Sequence, residues 1–199
     1  MVLEVKPEKD KNSLTYSLQN FVVKSHLAIE EDLDLKFLAN KLENSQYDPN
    51  RFPGLFIRFS HPKCVIIIFR NGKLILTGLK TSTNIELVLK RLILKLGKIG
   101  TIGILEEKIQ WEVVNIVVTA NLFRAINLDA AAIRLMNAVY EPEVFPGLVY
   151  RSSTSTKFVS LIFSTGKIVL TGIRKEDVIE PVLVHLGRLL KEENLFKKI

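Results

Sequence analysis

The chain carries the same stretches twice, in the same order. Residues 47–58 read Y-D-P-N-R-F-P-G-L-F-I-R and residues 140–151 read Y-E-P-E-V-F-P-G-L-V-Y-R, with seven of the twelve positions identical. F-R-N-G-K-L-I-L-T-G at 69–78 recurs as F-S-T-G-K-I-V-L-T-G at 163–172, and L-Q-N-F-V-V at 18–23 loosely matches V-V-N-I-V-V at 113–118. The repeat is about ninety residues long, which is far longer than a solenoid unit and indicates a duplicated half-domain.

Composition narrows the class of protein. The net charge of +7 and the pI of about 9.5 suggest an anionic partner without naming it. The longest apolar runs, such as 64–69, are too short to span a bilayer, and the charged residues 1–12 lack the apolar core of a signal peptide. The single cysteine, Cys64, excludes an intrachain disulfide and fits a reducing compartment.

Residue patterns predict four strands and two helices in the first repeat. Strands are expected at 14–24, 55–59, 63–70 and 73–79, and helices at 30–45 and 82–96, with Asp32 as the N-cap of the first helix and Leu33, Phe37, Leu38 and Leu42 on its apolar side. Residues 47–54 contain two prolines and a glycine and predict a loop. Asn71-Gly72 predicts a hairpin, since both residues tolerate positive φ.

The second repeat predicts the same order. Strands are expected at 111–120, 148–151, 157–163 and 167–173, helices at 128–139 (capped by Asn127) and 176–191, and a loop at 140–147. The order β-α-β-β-β-α therefore occurs twice, which predicts an antiparallel α+β architecture.

The strand at 63–70 is apolar on both sides. Alternate residues face opposite sides of a strand, so Cys64, Ile66 and Ile68 share one face, whereas Val65, Ile67 and Phe69 share the other. Two helices per repeat can cover only one face. The uncovered apolar face, edged by lysines and arginines, is predicted to be an interaction surface.

The paired motifs Y-x-P-x-x-F-P-G-L, I-F-x-x-G-K-x-x-x-T-G and L/V-x-N-x-V resemble the core domain of the TATA-binding protein family over residues 14–195. The resemblance implies an α+β saddle: a tandem pseudo-twofold repeat with a curved ten-stranded antiparallel sheet and four helices on the convex side. The expected organisation is a flexible arm at 1–12, a first saddle repeat at 13–103 and a second at 104–199, which together form one domain.

The resemblance also implies binding in the DNA minor groove with intercalating phenylalanines, a known property of that family rather than a deduction from these residues. Motif positions assign the four wedges to Phe52, Phe69, Phe145 and Phe163. Strand alternation independently puts Phe69 and Phe163 on the uncovered face. The family's base contacts map to Asn20, Asn115, Thr77, Thr171, Val22 and Val117, a set that would separate A·T from G·C pairs.

The implied phosphate contacts are nine cations: Arg51, Arg58, Lys63, Lys73, Lys80, Arg151, Lys157, Lys167 and Arg174. The second of the loops before the wedges, the stirrups of the family, would dock a transcription factor B-type protein through Glu141, Glu143 and Val144. RNA polymerase machinery would be reached indirectly. The first stirrup carries Asp48, Asn50 and Arg51. The basic helix around Lys90, Arg91 and Lys95 is either a contact for other factors or a solvated face.

The implied function is that of a general transcription factor that binds and kinks TATA-box promoter DNA and nucleates the pre-initiation complex. Double-stranded promoter DNA is the main partner, no membrane is involved, and a weak homodimer off DNA is plausible for an exposed apolar sheet. The short N-terminal arm favours an archaeal cytoplasm (nucleoid), with the nucleus as the place for a eukaryotic protein.

Two other readings compete. An enzyme is disfavoured, because His26, His61, His185 and Cys64 show neither metal-ligand spacing nor a catalytic motif, and no cofactor or metal is expected. A diverged paralogue, acting mainly as a protein-interaction module or on non-TATA promoters, stays open. Departures from the family pattern favour it: Lys24, Val114, Val23, Val118 and Arg70-Asn71. The four intact phenylalanines argue against loss of the DNA role.

Overall fold

The structure is a computed structural model that describes residues 14–100 and 109–197. Within these described residues, each sequence repeat contributes five strands and two α-helices in the same order. The first repeat comprises β1 (Thr15–His26), α1 (Leu35–Lys41), β2 (Ser45–Gln46), β3 (Leu55–Ser60), β4 (Lys63–Ile68), β5 (Lys73–Leu79) and α2 (Ile85–Lys98). The second comprises β6 (Trp111–Asn121), α3 (Leu128–Arg134), β7 (Ala138–Val139), β8 (Leu148–Arg151), β9 (Val159–Ile162), β10 (Lys167–Ile173) and α4 (Ile179–Glu192).

The strands form a ten-stranded antiparallel sheet in the order β2-β3-β4-β5-β1-β6-β10-β9-β8-β7. The predicted α+β class, ten strands and four helices are confirmed. Residue patterns alone predicted only eight strands, because β2 and β7 are two residues long and show no periodicity. Ser45 and Gln46 pair with Ile57 and Phe56, and Ala138 and Val139 pair with Tyr150 and Val149.

The described residues divide into two compact units. The first unit comprises residues 18–100 and 109–116, and the second comprises residues 14–17 and 117–197. Within each unit the strands alternate between fully buried and half-buried residues; β4, for example, buries Cys64, Ile66 and Ile68 and leaves Val65 and Ile67 half-buried. The predicted arm at 1–12 and the predicted repeat boundary at 103–104 lie outside the described residues.

The first helix is shorter than predicted, and its predicted cap was wrong. The side chain of Asp34, not Asp32, accepts hydrogen bonds from the backbone N–H groups of Lys36 and Phe37, both at 3.0 Å. Asp32 instead forms an ion pair with Arg70 at 3.0 Å. Phe37, predicted to lie on the apolar side, is 42% exposed. The backbone becomes extended at Leu42, so the helix ends at Lys41 and does not continue to residue 45 as predicted.

The other helices agree with the patterns more closely. The predicted cap Asn127 is confirmed, since its side chain accepts from the N–H of Ala130 at 3.1 Å, but α3 ends at Arg134 rather than at 139. Both long helices begin with a 3-10 turn, at Ser82–Asn84 and at Glu176–Val178. Pro181 is the third residue of α4, a position in the first turn where no backbone N–H is needed.

The β4–β5 hairpin is confirmed, but its turn differs from the prediction. β4 ends at Ile68, the N–H of Phe69 donates to the carbonyl oxygen of Lys73, and the N–H of Gly72 donates to that of Phe69, both at 2.9 Å. Gly72 has a φ of 80°, whereas Asn71 has no positive φ. The β9–β10 turn repeats these bonds through Phe163, Lys167 and Gly166, since β9 ends at Ile162. Each hairpin therefore begins with a phenylalanine that is fixed at the end of a strand.

Candidate nucleic-acid interface

Each unit has a sheet surface of half-buried, mainly apolar side chains, which we call its open face. In the first unit the open face comprises Asn20, Val22, Phe56, Val65, Ile67, Ile75, Thr77 and Asn115. In the second unit it comprises Val117, Val149, Val159, Leu161, Val169 and Thr171. These side chains alternate along their strands with core residues that are almost completely buried. All six residues to which the family's base contacts map lie on an open face.

The first unit presents a cluster of three aromatic rings beside its open face. The ring centroid of Phe52 lies 5.9 Å from that of Phe69 and 5.3 Å from that of Phe56. Phe52 is 37% exposed, although it is large and apolar. Gly54 allows this arrangement, because a Cβ atom there would lie only 2.7 Å from Cε1 of Phe52 and 2.6 Å from Cγ2 of Ile67.

The second unit repeats the pair of rings but not the third member. The centroids of Phe145 and Phe163 lie 5.8 Å apart with the rings edge to face. A Cβ atom at Gly147 would lie 2.7 Å from Cε1 of Phe145. Val149 occupies the position equivalent to Phe56. The same strand alternation that identified Phe69 would have found Phe56, which sequence reasoning missed.

Two equivalent loops position Phe52 and Phe145, the first phenylalanine of each pair, which we call the outer rings. The carbonyl oxygen of Asp48 accepts from the N–H groups of Arg51 and Phe52, at 3.1 and 3.0 Å. In the second unit the carbonyl oxygen of Glu141 accepts from the N–H groups of Val144 and Phe145, both at 2.9 Å. The outer rings are therefore fixed by tight turns just before β3 and β8.

The side chain of Asn20 is held in one orientation. Its Oδ1 accepts from the backbone N–H of Gly78 at 2.7 Å, and its Nδ2 donates to Oγ1 of Thr77 at 3.0 Å. The amide NH2 group has two N–H donors and Thr77 takes only one, so the second N–H is the group that can serve a ligand on the open face. Asn115 lies on β6 and Thr171 on β10, both half-buried.

All nine cations to which the family's phosphate contacts map are exposed. None of them forms an ion pair with another residue in the part of the chain that the structure describes. By contrast, Lys24 pairs with Glu112 at 2.7 Å and Lys90 with Glu86 at 2.6 Å. The nine side chains are thus available to an anionic ligand, whereas Lys24 is engaged. The Lys24–Glu112 pair was missed, since the two residues are far apart in sequence.

The side chains predicted to contact partners lie at the surface. Glu141, Glu143 and Val144 are exposed, Val144 by 80%. In the first unit Asn50 and Arg51 are exposed and Asp48 is half-buried. On α2, Lys95 is exposed and Arg91 donates to the carbonyl oxygen of His61.

The residues considered for catalysis are His26, His61, His185 and Cys64. Among the described residues no group of three or more His, Cys, Asp or Glu side chains could hold a metal ion. Burial raises the pKa of the Cys64 thiol to about 11, while the nearby Arg91 lowers it, so the thiol stays protonated at neutral pH. No helix in the described residues is long and apolar enough to cross a membrane.

Comparison with known proteins gives one consistent result. The family model described as Transcription factor TFIID (or TATA-binding protein, TBP) matches residues 15–99 and again residues 110–193. A TATA-box-binding protein of Sulfolobus acidocaldarius is 37% identical over 193 residues, which cover 97% of this chain and 95% of that protein. One from Methanothermococcus thermolithotrophicus is 42% identical over 173 residues, which cover 87% of this chain and 92% of that protein.

A solved structure agrees with the sequence matches. The structure titled Methanococcus jannaschii TBP is 38% identical, covers 89% of this chain and 98% of its own, and superposes with a TM-score of 0.79. The family model matches the two repeats separately, as the duplication of the sequence requires. The chain belongs to the TATA-binding protein family.

Proposed function

We propose that this protein is a general transcription factor that binds the minor groove of A·T-rich, TATA-box promoter DNA, kinks it with intercalating phenylalanines and nucleates the pre-initiation complex. The observation that carries the proposal is the pair of packed phenylalanine rings beside the apolar open face of each unit. Phe52 is exposed and the other three rings are half-buried. Apolar rings left in contact with water do not stabilise a fold, so a ligand that covers them is the simplest reason for their position. The relatives named TATA-box-binding protein support this choice of ligand.

On binding, the four phenylalanine rings exchange contacts with each other and with water for contacts with DNA bases. Phe52 and Phe69 in the first unit, and Phe145 and Phe163 in the second, enter between base steps. Unstacking costs about a few kcal/mol per step, which the bend repays by covering more protein surface. Because the rings are already packed in pairs and held by tight turns, little side-chain freedom is lost on binding.

Selectivity for A·T pairs comes from the open faces. The exocyclic amino group of guanine projects into the minor groove, where an aliphatic surface would bury it without an acceptor. Val22 and Val117 supply aliphatic contacts of this kind. The amide nitrogen of Asn20 donates to the acceptors that A·T pairs present, with Thr77 holding it in place. Asn115 and Thr171 play the corresponding roles.

Affinity comes largely from the phosphates. Eight of the nine exposed cations named above lie in loops or at strand ends, and Arg58 lies within β3. They position the protein without reading sequence, and their contribution falls as salt rises.

Assembly of the pre-initiation complex depends on the exposed loop at 140–147 in the second unit. Glu141, Glu143 and Val144 dock a transcription factor B-type protein through two carboxylates and one apolar side chain, and RNA polymerase machinery is recruited through that partner. Without DNA, the open faces give a weak homodimer. The relatives are archaeal, which supports action at promoters in an archaeal nucleoid.

The experiment compares three duplexes that differ only in the box: A·T pairs, inosine·C pairs and G·C pairs. Inosine·C presents the same minor groove as A·T but a different major groove, so equal affinity for these two duplexes is expected. Each G·C pair should cost about 1–3 kcal/mol. The double variant Phe145→Ala/Phe163→Ala should bind the A·T duplex more weakly and bend it less, because it removes two wedges and leaves the open faces in place. Leu94→Ala, an exposed apolar residue of α2, should bind and bend that duplex as the intact chain does. Weak, equal binding to all three duplexes would instead support a protein-interaction module.

A further inference from the structure

Each unit contains a surface recess at an equivalent position. The first recess, in the first unit, is lined by residues that include Lys24, Lys73, Ile75, Trp111 and Glu112. The second recess, in the second unit, is lined by residues that include Thr119, Lys167, Val169, Tyr16 and Ser17. Taken in these orders, the two sets correspond one to one, because the members of each pair lie 94 or 95 residues apart.

The two recesses share their flanking groups. Both contain one of the cations assigned to phosphate contact, Lys73 or Lys167. Both contain an open-face aliphatic residue, Ile75 or Val169. Both also expose an aromatic ring, since Trp111 is 40% and Tyr16 is 43% exposed. Each recess therefore combines an open-face side chain with a cation, and on the proposed function it would lie next to the DNA backbone.

The recesses differ in the cross-strand pair that connects β1 with β6. In the first recess, Nζ of Lys24 lies 2.7 Å from a carboxylate oxygen of Glu112. In the second, Oγ of Ser17 and Oγ1 of Thr119 form a hydrogen bond of 2.9 Å. A neutral hydroxyl pair therefore fills one position and an ion pair the other.

Stability does not account for the ion pair. Both of its side chains are more than half exposed, at 57% and 51%, and exposed pairs contribute only about 0–1 kcal/mol. Its electrostatic consequence on a DNA-binding surface is larger. A carboxylate beside Lys24 neutralises a cation that would otherwise meet a phosphate.

We propose that Lys24 is a latent phosphate-binding residue, and that Glu112 limits DNA affinity by holding its ammonium group. The proposal rests on the proposed function and deepens it. In the intact protein the Lys24–Glu112 pair contributes no counterion release. Removal of Glu112 alone frees the ammonium group for a phosphate.

The test measures the salt dependence of affinity for one A·T-rich duplex between 50 and 200 mM salt. Each additional phosphate contact steepens the slope of log K against log salt by about 0.9, which is a further threefold to fourfold loss of affinity over this range. Glu112→Ser, which copies the second recess, should show this steeper slope and tighter binding at 50 mM salt. Lys24→Thr/Glu112→Ser should return the slope to that of the intact protein.

The matched control is Glu86→Ser. It frees Lys90 from an ion pair whose side chains are also more than half exposed, and it changes the net charge by the same amount, but on α2. We expect its slope to equal that of the intact protein. An unchanged slope in Glu112→Ser, or an equal steepening in Glu86→Ser, would overturn the proposal. If the intact protein bound the duplex without any salt dependence, the proposed function itself would fail instead.

Discussion

At the scale of single residues, two glycines determine how the rings of Phe52 and Phe145 can lie. Gly54 and Gly147 stand two residues after Phe52 and Phe145, and each leaves the space that a ring edge occupies. The F-P-G motif is thus explained by contact with the preceding phenylalanine rather than by a positive φ, which neither glycine has. A side chain at either position must displace the ring.

We expect Gly54→Ala and Gly147→Ala to weaken DNA bending more than they weaken the fold. The new methyl group would overlap Cε1 of Phe52 or Phe145, and overpacking of this kind costs about 1–3 kcal/mol of unfolding free energy. Gly97→Ala is the control, because nothing lies within 4 Å of its Cβ position and alanine favours a helix by about 0.5–1 kcal/mol. Chemical denaturation and a bending assay would measure both effects. If the Gly54→Ala variant bent DNA as strongly as the Gly97→Ala variant, Gly54 would not be needed to position the ring of Phe52.

Cys64 provides a test of packing in the first unit. Burial raises the pKa of its thiol from 9.0 to about 11, so folding disfavours the thiolate. Its contribution to stability is therefore complete below pH 9 and is lost as the pH rises through 11. We expect a thiol reagent at pH 8 to label the native protein far more slowly than the denatured protein. Equal labelling rates would show that β4 is not packed as described.

At the scale of elements, the sequence predicted every strand of four or more residues, missed the two strands of two residues and made the two seven-residue helices too long. Strands of six or more residues and helices of fourteen show periodicity, and their positions agreed within a few residues. The strands β2 and β7 have two residues each and exist because β3 and β8 offer them partners, which no local pattern reveals. The wrong choice of Asp32 as the helix cap also reflects a contact that is distant in sequence. Asp32 forms an ion pair with Arg70 in the β4–β5 turn, and Asp34 caps the helix.

The cap assignment can be tested with two aspartates that lie two residues apart. Asp34→Ala removes an acceptor for two backbone N–H groups and should lower the free energy of unfolding by about 0.5–2 kcal/mol. Asp32→Ala removes only an exposed ion pair and should cost less than about 1 kcal/mol. Denaturant unfolding would show the difference as a shift in midpoint, provided that the dependence of unfolding free energy on denaturant concentration is the same in both variants. A larger loss for Asp32→Ala would restore the assignment made from the sequence.

At the scale of the whole molecule, the residues of the candidate interface differ in how well the sequence alone could predict them. Strand alternation independently placed Phe69 and Phe163 on the uncovered face, whereas their assignment as wedges came from the resemblance to the family. Phe52 and Phe145 lie in loops, where alternation is silent, so only the resemblance to the family singled them out. The pairing of Lys24 with Glu112 depends on which strands are neighbours, and no local pattern in a single sequence carries that information.

The central claim, that the four phenylalanines kink DNA from the minor groove, is tested most directly by the bend itself. Energy transfer between dyes at the two ends of an A·T-rich duplex would be measured for the intact chain, for Phe52→Ala/Phe69→Ala, for Phe145→Ala/Phe163→Ala and for the Leu94→Ala control. We predict a strong bend with the intact chain and the control, and a partial loss with each double variant, because each removes one wedge pair. A bend of the same size in both double variants and in the intact chain would contradict the account.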